Sequence, residues 1–317
     1  MAADKGTGMT IKSEILVGVD GCPSSDAAVV WAAGEAASRG LGLALVHALD
    51  MNSIGLGLTT APLRKLLIET AQPTIDHALE LSAEHQPGVP ARGRVMIGSA
   101  TRTLLRLSEQ AQLTVVGRTG RGALAHLWLG TVTQRVLAHA SCPAVAVGGA
   151  DATTAGTVSR IVVGMGEGPD QDSALEFAFS TAQRRCVPLE ALHVLAHSPS
   201  GSDGLVDDPY PEHQDAEERQ AKVLSEWRAS YPGVPVTSVV RSGHVGDVFA
   251  ALCRPTDLLV LGHHRPAPYS PRQLGRAASA ALHNTTCSVA VIHQAAANSD
   301  EYESSAMTNE KGHGHAE

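Results

Sequence analysis

The amino-acid sequence repeats itself, and that limits the possible folds more than any other feature. At an offset of 146 residues, ILVGVDGCPSSDAAVVWA (Ile15 to Ala32) lies over IVVGMGEGPDQDSALEFA (Ile161 to Ala178). Seven of the 18 positions are identical (Ile15, Val17, Gly18, Pro23, Asp26, Ala28 and Ala32), where about one match is expected by chance. His47 lies over His193 at the same offset. With one residue lost, LTVVG (Leu113 to Gly117) falls on LLVLG (Leu258 to Gly262), and SCPAVAV (Ser141 to Val147) on TCSVAVI (Thr286 to Ile292). A repeat this long is a duplicated domain and not a solenoid unit. In a chain of 317 residues each copy has enough sequence for its own core. The expected divisions are a flexible start over 1–12, a first domain over 13–150, a linker over 151–158, a second domain over 159–295 and a disordered tail over 296–317.

Within the first copy, apolar runs bounded by turn residues predict five strands: Ile15 to Val19, Leu43 to Ala48, Arg92 to Ile97, Leu113 to Val116 and Ala144 to Val147. Helices are predicted between them. Ser24 or Ser25 caps one that Gly40 ends, and Ile75, Ala78, Leu79 and Ser82 mark a second by their spacing. Thr101 to Gln110 and Thr131 to His139 supply two more. This alternation predicts an α/β chain with a doubly wound parallel sheet in each half. Composition agrees: hydrophobic residues make up 43% but aromatics only 3%, so the cores must be aliphatic.

The stretch GRTGRGALAHLWLGT (Gly117 to Thr131) follows the fourth strand. It therefore stands at the carboxyl end of a parallel strand, where open α/β sheets bind ligands. Gly117 and Gly120 are expected to turn tightly, to reach positive φ and to bring bare amides to the rim. Gly130 and Thr131 open a helix whose first amides have no internal partner, which makes an anion site suited to phosphate. Thr131 and Thr133 can add hydroxyl donors. Asp20 ends the first strand, where a carboxylate can take ribose hydroxyls or a metal ion. Ala48 ends the second, where backbone groups can meet an adenine edge. Val19 and Val116 offer apolar walls for the base. Base, sugar and phosphate contacts thus converge in a nucleotide site.

The spacing Gly117-x2-Gly120-x9-Gly130-Thr131 resembles the ATP-binding pattern of the universal stress protein family. The likeness extends through ILVGVD, LALVHAL, VMIGSATRTLLRLS, LTVVGRTGRG and SCPAVAV, so the whole chain resembles a tandem member of that family. The resemblance implies two flavodoxin-like domains, each with five parallel strands in the order 3-2-1-4-5, and ATP, with Mg or Mn, at the carboxyl edge. It implies a role in stress survival or dormancy and not in a metabolic reaction, with at most weak ATP hydrolysis. The cofactor-binding positions it implies are Gly18, Val19, Asp20, Ala48, Val116, Gly117, Arg118, Gly120, Gly130, Thr131, Val132 and Thr133. In the second copy Gly166, Arg265, Arg276 and Ala278 stand where Asp20, Gly120, Thr131 and Thr133 stand in the first. A non-glycine residue such as Arg265 forced into the left-handed region costs about 1–2 kcal/mol, and its bulk would fill the phosphate position. ATP is therefore expected in the first half and weakly or not at all in the second, although Arg265, Arg272 and Arg276 could make a separate anion site.

Other features bound the function. With a net charge of −8, nothing in the overall balance favours a nucleic-acid backbone or an anionic membrane as partner. The five cysteines show no CxxC spacing and are expected as free thiols of a cytoplasmic protein. GMGEGP (Gly164 to Pro169) fails as a dinucleotide fingerprint at its third glycine. His47 and His193 read as packed structural residues, and Asp203 to Glu218 as a solvated acidic loop. Besides ATP, the partners left open are cyclic AMP, proteins that would read the nucleotide state, and a second copy of the chain. The competing readings are a dimerisation module in which the fifth strands of the two halves pair, and a slow ATPase.

Overall fold

The computed structural model describes residues 13–50, 60–120, 129–148, 156–166, 171–195, 211–263 and 274–293. The expected flexible start and tail, and most of the linker, lie outside them. The first half runs β1 (Glu14–Gly18), α1 (Pro23–Arg39), β2 (Gly42–Leu49), α2 (Ala61–His85), β3 (Ala91–Ile97), α3 (Ala100–Ser108), β4 (Leu113–Gly117), α4 (Thr131–His139) and β5 (Ala144–Val147). The second half runs β6 (Arg160–Met165), α5 (Gln171–Arg185), β7 (Leu189–Leu195), α6 (Pro211–Ser230), β8 (Val236–Ser242), α7 (Val245–Leu252), β9 (Asp257–His263), α8 (Arg276–Asn284) and β10 (Ser288–His293).

All ten strands form one sheet, ordered β3-β2-β1-β4-β5-β10-β9-β6-β7-β8. Each half is parallel and has the expected order 3-2-1-4-5. The halves join where β5 and β10 pair antiparallel, with Val145 opposite Ala290. These two residues are equivalents in the repeat, so the pairing places a pseudo-twofold axis between them. At this seam Gly148 has no room for a side chain, since a Cβ would lie 2.3 Å from the carbonyls of Thr286 and Cys287.

The central strands bury both faces, as β4 does at every residue, while the edge strands β3 and β8 keep residues exposed. One core includes Ile15, Val17, Trp31, Leu43, Leu45 and Ile75 with Ile161, Val163, Phe179 and Leu224 of the second half. The other includes Leu16, Val46, Leu104, Val116 and Leu137 with Val162, Phe249, Leu259 and Leu282. Both cores cross the seam.

Helix ends follow local chemistry, with two corrections. The N-cap of α1 is Cys22, with Pro23 in the first turn, so Ser24 and Ser25 lie inside the helix instead of capping it. The acidic stretch is not all loop, because α6 begins at Pro211 and takes in Glu212 to Glu218. Gly40 does end α1 as expected, at φ 65°, its N–H returned to the carbonyls of Ala36 and Ala37.

A pseudo-symmetric staple lies near the C-terminal ends of α1 and α5. Arg39 sits over the Phe177 ring (5.1 Å) and Arg185 over the Trp31 ring (5.5 Å). Arg39 and Arg185 are equivalents in the repeat, as are Trp31 and Phe177, so the two contacts exchange under the pseudo-twofold. The symmetry breaks at Glu35, whose counterpart is Thr181. Glu35 is 0% exposed, and its carboxylate accepts from Arg39 Nε at 2.6 Å and Arg185 Nε at 2.9 Å. Arg184 Nη2 lies 3.8 Å away. One buried carboxylate thus faces three guanidinium groups drawn from both halves.

Candidate nucleotide site

The rim of the first half is built from four strand ends. β1 pairs with β2 so that Gly18 faces Val46, and the Val19 N–H continues the ladder to the Val46 carbonyl at 2.9 Å. Carrying that register onward sets Asp20 beside Ala48. The buried His47 fixes this corner: its Nδ1 lies 2.7 Å from the Val19 carbonyl. A carbonyl only accepts, so Nδ1 carries the proton. His193 repeats the contact with Met165 at 3.2 Å, so both histidines serve the architecture.

Asp20 closes a short turn, its Oδ1 accepting from the Cys22 N–H at 3.0 Å. The residue that needs glycine's conformation here is Gly21, at φ 75°. Gly117, Gly120 and Gly130 are not in the left-handed region, Gly130 having φ −64°, which corrects the expectation of positive φ at Gly117 and Gly120. Their reasons for being glycine differ. A Cβ on Gly117 would sit 2.6 Å from both the carbonyl oxygen and the Oγ of Ser24, so Gly117 lets β4 press against the start of α1. Gly18 likewise makes room for Leu104, 2.9 Å from where its Cβ would be. Gly120 is different. Among the described residues its Cβ would touch Asp20 Oδ2 alone, at 3.5 Å, an ordinary contact that sets this position against the carboxylate.

The loop is held from both sides. Ser24 Oγ accepts from the Thr119 N–H (3.2 Å), Cys22 Sγ donates to the Thr119 carbonyl (3.7 Å), and the Gly130 N–H reaches the Arg118 carbonyl (3.0 Å). Two of the loop amides expected to be free are therefore satisfied within the fold. Ser24 was missed by sequence reasoning, because nothing in its spacing tells a serine that clamps a distant loop from one that caps its own helix. Thr133 is buried, and its hydroxyl donates to the Gly117 carbonyl at 2.7 Å, so that donor holds the loop and is not available to a ligand. Replacing Thr133 by Val should cost about 1–2 kcal/mol by leaving a buried carbonyl unmet, readable as a drop in Tm. Gly117→Ala should cost about 1–3 kcal/mol through the clash with Ser24, in the same assay.

What remains for a ligand is the start of α4. Gly130 caps it with no side-chain hydrogen bond, Thr131 is exposed and Val132 half-buried. The first-turn amides have no partner within the helix and carry its positive dipole end. Val19 and Val116 are 5% and 4% exposed and belong to cores on opposite faces of the sheet, so their side chains are not the walls expected of them. Arg118 departs most. Its guanidinium crosses to the second half, donating to the carbonyl of Thr285 and, at 2.7 Å, to that of Cys287. Only its backbone stays at the rim. Burial pushes the Cys22 thiol above its ordinary pKa, helped by its hydrogen bond to Asp20, which makes it a poor nucleophile.

The arrangement fits a polyphosphate. The Gly120 backbone lies between a carboxylate and an uncapped helix start, so any side chain at residue 120 would crowd that rim. Among the described residues no group of three or more His, Cys, Asp and Glu could hold a metal ion. In the second half, Gly275 caps α8 as Gly130 caps α4, but buried Ala278 replaces Thr133 and Arg276 opens the helix. Arg265 and Arg272 lie outside the described residues.

The profile of the universal stress protein family matches residues 13–148 and again 157–293. The chain belongs to that family. A universal stress protein of Mycolicibacterium smegmatis is 29% identical over 289 residues, covering 88% of this chain and 96% of the relative. One of Mycobacterium tuberculosis is 28% identical over 291 residues, covering 88% and 97%. Among solved structures, a universal stress protein from Archaeoglobus fulgidus superposes with a TM-score of 0.66 at 15% identity, covering 89% of this chain and 98% of its own. That level of identity speaks for the shared fold alone. Among the described residues of this tandem universal stress protein, no helix is long and apolar enough to cross a membrane.

Proposed function

We propose that this tandem universal stress protein binds ATP, with Mg or Mn, in its N-terminal half and acts in the cytoplasm as a nucleotide-dependent regulator of stress or dormancy. The observation that carries the reading is the juxtaposition of Gly120 with Asp20, whose Oδ2 lies 3.5 Å from where a Cβ would be, and with the rim where α4 starts without a side-chain cap. In this reading the amides of Thr131, Val132 and Thr133 take the phosphates, with the Thr131 hydroxyl beside them. Asp20 takes ribose hydroxyls or the metal, and the backbone at Ala48 takes the adenine edge. The second half lacks the carboxylate and the threonine pair and is expected to bind ATP weakly or not at all.

Hydrolysis is expected to be slow at most. Among the described residues of the loop the cation is Arg118, which is committed to the second half and so cannot neutralise a transferring phosphoryl group. The competing reading is a structural module with incidental ligand, and the antiparallel seam between β5 and β10 favours it, because the pseudo-dimer is complete within one chain. Thermal unfolding with ATP, ADP, cyclic AMP and no ligand separates the two. At 100 times Kd, binding should stabilise the first half by about 2.7 kcal/mol. ATP should raise the Tm more than cyclic AMP does. No shift with any nucleotide would favour the structural module, and a larger shift with cyclic AMP would change the ligand.

A further inference from the structure

The repeat makes each half a control for the other at the foot of the sheet, where strands begin. In the first half Ser108 ends α3, accepting from the Ser141 N–H at 3.0 Å and donating to the Leu105 carbonyl at 2.7 Å. Beside it Cys142 lies 3.2 Å from the Thr114 hydroxyl, and burial pushes its thiol up to about 11. At the matching place in the second half Cys253 replaces Ser108, and Cys287 is the counterpart of Cys142. By the repeat, the Cys253 side chain stands where Ser108 meets the Ser141–Cys142 turn, so two buried thiols become neighbours in one core, each acting on the other's ionisation.

Both partners are held in place. Arg160 donates to the Leu252 carbonyl at 2.8 Å and to the Asp257 carboxylate at 2.5 Å, and Asp257 accepts from the Arg254 N–H at 2.8 Å, which fixes the turn bearing Cys253. Cys287 Sγ lies 3.4 Å from Thr285 Oγ1, and Arg118 reaches in from the first half to the Cys287 carbonyl at 2.7 Å. The Arg118 charge acts on the Cys287 sulfur as well. A pair of neighbouring thiols in one buried cluster, with a fixed cation beside one member, is suited to two-electron oxidation.

We propose that Cys253 and Cys287 are a redox-active pair that a hydroperoxide converts into a disulfide at the foot of the second half. The Cys287 thiolate attacks one peroxide oxygen. An S–O bond forms, the O–O bond breaks, and the other oxygen leaves as alcohol, or as water from hydrogen peroxide, after taking a proton. The Cys253 sulfur then attacks the sulfenic acid, forming the S–S bond and breaking S–O, and the departing hydroxide leaves as water with the Cys253 proton. Two electrons pass from the sulfurs to the peroxide, so two thiols and one hydroperoxide give one disulfide, one water and one alcohol. Cys253 is 8% exposed and Cys287 0%, which favours a small oxidant. In the first half Ser108 removes the second thiol, and Cys142 stays reduced.

The test uses the full-length wild-type chain, treated with hydrogen peroxide under native conditions, alkylated in denaturant and digested without reductant for mass spectrometry. A peptide linking Cys253 to Cys287, lighter by two hydrogens than the separate peptides, should accumulate while Cys142 remains fully alkylated. A Cys253→Ser chain of matched circular dichroism should give no link to Cys287. The proposal is overturned if both thiols of the wild-type chain are alkylated at every time point, if they are over-oxidised separately with no linked peptide, or if Cys287 pairs with Cys142 instead.

Discussion

Glu35→Gln should lower the Tm of the full-length protein by roughly 10 °C, the largest loss expected from any single charge change. The carboxylate is 0% exposed and faces Arg39, Arg184 and Arg185. An amide leaves those three cations without a counter-charge between the halves. Removing one partner of a buried ion cluster costs about 3–5 kcal/mol, more than the pair itself contributes, because the surviving charges stay desolvated. Glu69→Gln, in an exposed pair with Lys65, should leave the Tm essentially unchanged. The difference between wild type and Glu35→Gln also carries a pH signature. Burial pushes the Glu35 pKa up, but Arg39 and Arg185 outweigh it and the net direction is down. A carboxylate whose pKa is depressed by folding stabilises the native state fully above its unfolded pKa of about 4.3. That contribution fades as pH falls through the folded value. The Tm gap should therefore be widest near neutrality and close in acid. A gap that holds constant down to pH 3 would contradict the assignment.

Gly120→Asp should weaken ATP binding by at least about 100-fold, since a like charge set against a bound anion costs several kcal/mol. The substitution adds a second carboxylate beside that of Asp20, whose Oδ2 lies 3.5 Å from the new Cβ. Gly120→Ala is the control for folding. At that distance its methyl makes an ordinary contact and needs no unusual φ, so it should fold normally and keep most of the affinity. Equal affinity in Gly120→Asp and wild type would remove the phosphates from this loop.

The sequence pattern reached the architecture because both signals of a doubly wound sheet are local. Apolar runs mark strands buried on two faces, and the internal repeat requires the second half to copy the first. It also reached the rim, since Asp20, Ala48, Gly120 and the start of α4 follow from where strands end. What it could not reach were contacts made by residues far apart in the chain. Gly117 reads as a phosphate glycine, yet its missing side chain is occupied by Ser24 of α1. Arg118 is among the nucleotide-binding positions that the resemblance implies, yet the antiparallel seam brings the turn before β10 close enough to take its guanidinium. The αL cost expected for an arginine in place of Gly120 does not apply, because Gly120 is not at positive φ. The case for unequal halves rests instead on lost groups: Asp20 against Gly166, and Thr133 against Ala278.

Calorimetric titration of ATP with Mg into the folded full-length chain tests the central claim most directly. Saturable heat from a single site, lost in Gly120→Asp and retained in Gly120→Ala, is the predicted result. Absence of heat at millimolar ATP from well-folded wild-type protein, or heat unchanged by Gly120→Asp, would contradict it.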